Sequence, residues 1–424
     1  MLHTLKIFTT DLDLGMYVSG LDRPWLDTPF MTQGFVLESQ DDIDRVRKHC
    51  DYVYVDTRRS RRGLAALKKH QVVTATREQK GAGRRRVPIE KIFKGRKLKP
   101  YRDETSWHDE HPQAEVALGS LIEDISGVFD HVSDGGSLDV IRLKGSVAPI
   151  IDSMGRNPDA CLWLTRLKQH DEYSYQHSLS ASIWAVALGR QLGMQRLDLR
   201  SLAVGAMLMD VGKLRVPPEL LRADRPLNEE ELHTVREHVT NGVEIIQESG
   251  MINQDVIDMV AHHHERYDGS GYPQGLNRDE IPPFARIAGI VDSYDALTSN
   301  RSYAPAVSPS EAIRLLYKSR DIDFQAELVE AFIQAVGIYP AGTVVELSSG
   351  EVGVVVAEYR TRRLLPKVTV LLDANKKRLS RPRVVDLLIE TTPEGEQSLS
   401  IARSLEPGAY DIDLEQVDSF SRFA

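Results

Sequence analysis

Residues 202–214 read LAVGAMLMDVGKL, an apolar run with one carboxylate, Asp210, near its end. Leu202, Ala206 and Met209, with Val211 beyond, recur at spacings of three and four, which predicts a helix packed among others. A carboxylate in such a run is costly to bury unless it is paired or bound to a metal. Lys213 stands three residues on, on the same helix face, and offers a plain salt bridge. The same spacing, as in Leu179, Ile183, Val186 and Ala187, continues from about Val116 to Val336. Strand-like alternation is scarce there, so this part of the chain reads as an all-α domain.

The texture changes on either side. After Gly337-Ile338-Tyr339-Pro340, the β-branched stretches Thr343–Leu347, Val352–Glu358 and Val368–Leu372 predict strands, with Ser348-Ser349-Gly350 as a hairpin turn. Near the N-terminus, Leu5–Thr9 and Tyr52–Val55 are β-prone, and Asp41–Cys50 has acids first and bases last, as a helix prefers. Between Arg58 and Arg102, seventeen Lys and Arg stand against two acids, a net +15 in a chain of net −9, so the remainder carries −24. This basic stretch reads as a linker with a short helix near Leu64–His70. The expected architecture is multidomain: a small α/β N-terminal domain (1–56), a basic linker (57–115), an all-α helical bundle core (116–338) and a small β-rich C-terminal domain (339–424).

With 424 residues, 41% hydrophobic and 27% charged, the composition is globular and excludes a disordered, collagen-like or membrane-embedded chain. No apolar run approaches the ~18 residues of a transmembrane helix, and the first residues lack a signal-peptide pattern. Cys50 and Cys161 form no CxxC pair and no disulfide framework, which suits a reducing cytoplasm. The basic stretch carries no interleaved aromatics before Phe93 and Tyr101, so no nucleic-acid polymer is expected as a partner.

Seven of the thirteen histidines fall between His170 and His264. In order, the chain presents His177, Asp210-Val-Gly-Lys213, His238, His262-His263-His264, Asp268-Gly-Ser-Gly-Tyr-Pro273 and Asp292. Histidine with carboxylate suits borderline divalent metals, and inward donors from several helices are how bundle metal sites are built. Each element also has a plainer reading. His177 alone is an ordinary helix residue, DGSGYP a tight turn, and Asp292 a helix N-cap.

Together these elements resemble the HD-GYP family of metal-dependent phosphodiesterases, a branch of the HD superfamily. The likeness covers about Cys161–Ala312 and is strongest over HHERYDGSGYPQGL and IPPFARIAGIVDSYDALTSNRSY, between His263 and Tyr303. Leu14–Val18 (LGMYV) is similar to an N-terminal domain of unknown function that precedes the catalytic domain in such proteins. The resemblance implies a bundle holding divalent metal, iron or manganese, and hydrolysis of the bacterial second messenger cyclic di-GMP. By position, His177, His238, His263 and His264 match histidine ligands, Asp210 the bridging aspartate and Asp292 the last aspartate. Lys213 matches a lysine facing the substrate phosphate, Arg301 an arginine that contacts the nucleotide, and Gly271-Tyr272-Pro273 the GYP triplet. Asp210 and Lys213 are therefore the expected catalytic residues. A homodimer is also implied.

The HD pair is not intact, because Met209 stands where the family has a histidine ligand. A thioether is a poor donor to hard or borderline ions, so a weakened centre of one or two ions is expected. Tyr173 replaces a glutamate found in members with a third metal, and Ala304 replaces a common basic residue. The leading expectation is a cytoplasmic cyclic di-GMP phosphodiesterase weakened by Met209. The alternative is an inactive member that binds cyclic di-GMP, or docks a GGDEF-type diguanylate cyclase through Gly271–Pro273.

Overall fold

The computed structural model describes residues 4–22, 35–56, 60, 87–167, 173–299, 305–357, 365–389, 399–414 and 417. Most of the basic stretch, with the expected helix near Leu64–His70, lies outside the described residues, as do Arg301 and Ala304. The chain divides into two compact units: Met1–Arg86 with Arg360–Leu364, and the remainder.

In the first unit, β1 (Thr4–Phe8), β2 (Tyr17–Leu21), β3 (Phe35–Val36) and β4 (Tyr52–Asp56) form an antiparallel sheet in the order β1-β4-β2-β3. A helix, Gln40–His49, starts at Ser39, whose side chain and that of Asp42 form a reciprocal capping box. It turns Ile43 and Val46 onto Ile7, Val18, Val53 and Val55 of the sheet. In the LGMYV stretch, Gly15 adopts φ 86° and donates to Leu37 O at 2.7 Å, which lets Met16 and Val18 enter this core.

The second unit holds a helical body and a second sheet. The Arg196–Leu208 helix is its centre, with every residue from Ser201 to Leu208 buried. Leu199, Leu202 and Leu208 each contribute about 1.5–3 kcal/mol by leaving water. Around it pack the helices Tyr173–Gln191, Val140–Arg156, Gln254–His262 and Pro283–Thr298. Small residues permit close approach: a Cβ on Gly189 would strike Leu202 and Leu199, and one on Gly205 would strike Met259. The long Trp107–Ser133 helix begins nine residues before Val116, capped by Ser106. Residues 87–102, the end of the basic stretch, run along this body. Arg96 pairs with both Asp198 and Asp255, Val87 N donates to Glu327 and Lys99 N to Gly193 O.

The second sheet is all antiparallel, with Arg378–Asp386 and Ile401–Ser404 at its two edges and Lys367–Leu372, Val352–Ala357 and Val344–Leu347 between them in that order. The read strands appear as β5 (Val344–Leu347), β6 (Val352–Ala357) and β7 (Lys367–Leu372), with Gly350 at φ 81° in the β5–β6 turn. β8 (Arg378–Asp386) and β9 (Ile401–Ser404) carry no apolar alternation. As edge strands they leave Arg381 and Arg383 exposed, and the edge tolerates Pro382. Among the described residues, no helix is long and apolar enough to cross a membrane.

Candidate metal centre

The Arg196–Leu208 helix ends just before Asp210, and a 3-10 turn, Val211–Arg215, starts there with Asp210 as its N-cap residue. The turn packs directly on the start of the His238–Glu248 helix: a Cβ on Gly212 would lie 1.9 Å from His238 O and 2.4 Å from Gly242 N. The glycine therefore places Asp210 and His238 side by side. Asp210 Oδ1 lies 3.4 Å from His238 Nε2 and 3.7 Å from His263 Nε2. Its Oδ2 lies 3.4 Å from His177 Nε2 and 2.5 Å from Lys213 Nζ. Asp292 Oδ1 is 3.2 Å from His177 Nε2, and Asp292 Oδ2 is 4.0 Å from His264 Nδ1. Asp292 sits within the Pro283–Thr298 helix, whose N-cap is Pro282, so the N-cap reading does not apply.

Two donor groups result. Asp210, His238, His263 and His264 form one, and His177, Asp210 and Asp292 the other; within each group the donor atoms lie within 4.8 Å of one another. Asp210 belongs to both, with one oxygen turned to each. The second group has three donors where the first has four. His262 belongs to neither group, and the fully buried Met209 offers only a thioether, a poor donor to such ions.

The donor set fits divalent metal on three observations. First, His238 Nδ1 lies 2.7 Å from Val235 O and His263 Nδ1 lies 3.0 Å from Val260 O. Each Nδ1 therefore carries the proton, and both Nε2 lone pairs face inward, 3.5 Å apart. Second, Asp210 Oδ1 is buried and accepts no hydrogen bond, an arrangement that a bound cation relieves. Third, the site draws positive charge. Burial opposes the charge on His177, but Asp292, Asp295 and Asp210 outweigh it and push its imidazole up to about 10. Burial also opposes the Asp210 carboxylate, yet Lys213 and the surrounding histidines hold it well below the usual range. Burial and neighbouring His263 lower His238 to about 4, against the pull of Asp210, and His264 is lowered for the same reasons. At neutral pH both are neutral imidazoles, the form that ligates.

Asp295 was not singled out in the sequence. Its Oδ2 lies 2.8 Å from His177 Nδ1, and its Oδ1 accepts from Trp184 Nε1 at 3.2 Å. The spacing of three from Asp292 places both carboxylates on one helix face, a signal that was available. A carboxylate behind a ligating histidine fixes its tautomer and raises its basicity. Asp295→Asn keeps the Trp184 contact and weakens that support. Titration of the apoprotein with manganese, followed by calorimetry, is expected to show about 10–100-fold lower affinity with an unaltered far-UV spectrum.

The GYP triplet forms the wall beside His264. Tyr272 stacks on the His264 ring at 4.6 Å and 24°, and Tyr272 N donates to His264 O. The Tyr272–Pro273 bond is cis. Glu265, buried and also not read from the sequence, accepts from Gln274 N at 2.8 Å and Leu276 N at 2.9 Å, so it ties down the loop that follows. Gly271 is required by close approach, because a Cβ there would lie 2.3–2.5 Å from the backbone of residues 264–266. Lys213, beside Asp210, is a third exposed.

Family models match the chain in three places: an HD domain over residues 164–328, a domain of unknown function (DUF3391) over 4–142, and a KOW domain associated with the HD domain over 344–411. A cyclic di-GMP phosphodiesterase of Pseudomonas aeruginosa is 34% identical over 389 residues, 90% of this chain and 88% of that protein. The chain belongs to the HD-GYP family. Two further relatives match over shorter stretches of the chain. A cyclic di-GMP phosphodiesterase response regulator of Xanthomonas campestris is 36% identical over 35% of this chain and 39% of its own length. A 3'3'-cGAMP-specific phosphodiesterase of Vibrio cholerae is 31% identical over 37% of this chain and 30% of its own length. In this HD-GYP chain Met209 precedes Asp210, and the group with His177 and Asp292 has three donors where the other has four.

Proposed function

We propose that this chain hydrolyses cyclic di-GMP at a His/Asp-bound divalent metal centre. The observation that carries the reading is the double role of Asp210, whose two oxygens face two separate donor groups. The likeness to the Pseudomonas enzyme, over 90% of this chain and 88% of that protein, supports the substrate.

His238, His263 and His264 with Asp210 would hold one ion; His177, Asp210 and Asp292 would hold the second more weakly. Iron or manganese matches a mixed imidazole and carboxylate set. Bound there, such ions supply Lewis acidity toward a phosphate oxygen and a water of lowered pKa. The chain's own residues do the rest. Asp210 sets the spacing between the groups. Asp295 holds His177 so that Nε2 faces inward, and backbone carbonyls do the same for His238 and His263. Lys213, partly exposed beside Asp210, offsets phosphate charge, and we assign Arg301 the same task on the resemblance of the TSNRSY stretch. Tyr272 and the loop tied by Glu265 shield the His264 side from water. The same resemblance supports a cytoplasmic homodimer.

A second reading has its own observation: the group around His177 has three donors beside a buried methionine. Under it, the chain binds cyclic di-GMP or a GGDEF-type cyclase without turnover.

The test is hydrolysis of cyclic di-GMP by protein loaded without oxygen with iron or manganese, alongside Met209→His and a chelated sample. Turnover is expected in the loaded protein and none after chelation. Met209→His is expected to be faster by about tenfold or more, because it adds a ligand nitrogen where outer-shell changes already move rates 10–100-fold. Activity confined to Met209→His would establish the binding reading. No hydrolysis by any of them would overturn the proposal.

A further inference from the structure

We propose that Arg236 is a substrate-binding cation, holding the phosphate of the cyclic dinucleotide that is not being cut. The inference rests on the substrate reading above and extends it to a residue outside the metal groups.

A cyclic dinucleotide carries two phosphodiesters in one ring, each with a negative charge. Only one can occupy the metal centre at a time, so the other reaches outward and calls for a cation away from the metals. The basic groups near the site differ in their availability. Lys213 lies against Asp210 of the metal groups and is already assigned to the phosphate held there. Arg266 donates to the carbonyls of His263 and Glu265 and lies over Phe324. Arg236 is exposed at the end of the Glu229–Arg236 helix, and no carboxylate among the described residues pairs with it. Its guanidinium lies 5.0 Å from the centre of the Tyr272 ring, which in turn stacks on His264 at 4.6 Å. Two short steps thus lead from a metal donor to a solvent-facing arginine. The aromatic face holds the side chain in place without neutralising it, and five N–H donors remain for a phosphate.

The plainer role is a basic residue complementing the C-terminal dipole of its helix. That role predicts lower thermal stability for Arg236→Ala and no selective change in substrate affinity.

Equilibrium binding of cyclic di-GMP, by calorimetry on manganese-loaded protein, reads the proposal. Arg236→Ala is expected to bind about tenfold or more weakly, the worth of one charge-assisted hydrogen bond, with unchanged metal content. Arg236→Lys should recover part of the loss. In turnover, the loss is expected in KM and not in kcat. Hydrolysis of bis(p-nitrophenyl) phosphate, which has a single phosphodiester, should be unaffected. Unchanged affinity in Arg236→Ala, or an equal loss on the single phosphodiester, would overturn the assignment. If the affinity ratio holds while the unaltered chain cuts no cyclic di-GMP, the activity reading falls alone. If the unaltered chain does not bind cyclic di-GMP, both fall.

Discussion

Asp210→Asn is expected to lower phosphodiester hydrolysis by about a thousandfold while leaving the metal-free protein folded. Each donor group loses its shared anionic oxygen, and losses even behind the ligands cost about 10–100-fold. Two groups affected at once multiply to about that figure. The fold is expected to survive with some loss of stability, because Lys213 and the surrounding histidines outweigh burial and favour the charged carboxylate, and an amide takes away the anion they face. Thermal melting separates the two effects. The metal-free proteins should melt within a few degrees of each other, while the rise in Tm on adding manganese should appear only in the unaltered chain. Equal hydrolysis by both proteins would remove Asp210 from the chemistry and the two-group site with it.

Gly212→Ala is expected to damage both stability and activity. Its methyl group would sit 1.9 Å from His238 O and 2.4 Å from Gly242 N. Both are backbone atoms, so no rotamer change relieves the clash, and the Val211–Arg215 turn must move off the His238–Glu248 helix. Overpacking of this kind costs about 1–3 kcal/mol. The separation also pulls Asp210 from His238, and a displacement near 1 Å in a catalytic arrangement costs about 10²-fold in rate. Gly145→Ala is the control: its Cβ would meet nothing within 4 Å on an exposed helix surface. It should be stabilising by about 0.5–1 kcal/mol, with activity unchanged. Urea unfolding and turnover on the same preparations test both. A Gly212→Ala protein as stable and active as the control would contradict the packing described here.

What could be read from the residues follows from locality. Three-and-four spacing marks helices because it reports a face, and LAVGAMLMDVGKL carries that signal with its misplaced charge. β5 to β7 were legible because their β-branched runs are buried; β8 and β9 were not, because edge strands need no apolar pattern. The capping box at Ser39 and Asp42 was overlooked although it is local, and the helix began one residue before the expected start.

The candidate ligands were nameable as an ordered set by resemblance, and the missing histidine at position 209 was visible as a single letter. The sequence by itself therefore determined which side chains could ligate, that a methionine precedes Asp210, and that the middle of the chain is helical. It did not determine which donors share an ion. His177 and Asp295 are 118 positions apart and meet at 2.8 Å, and only the packing of their two helices brings them there. The same packing divides the donors into groups of four and three around Asp210, withholds His262, and leaves Arg236 beside Tyr272. Residue type is a property of the chain, whereas a coordination distance belongs to elements held together by burial, and that distance exists only once the core has closed.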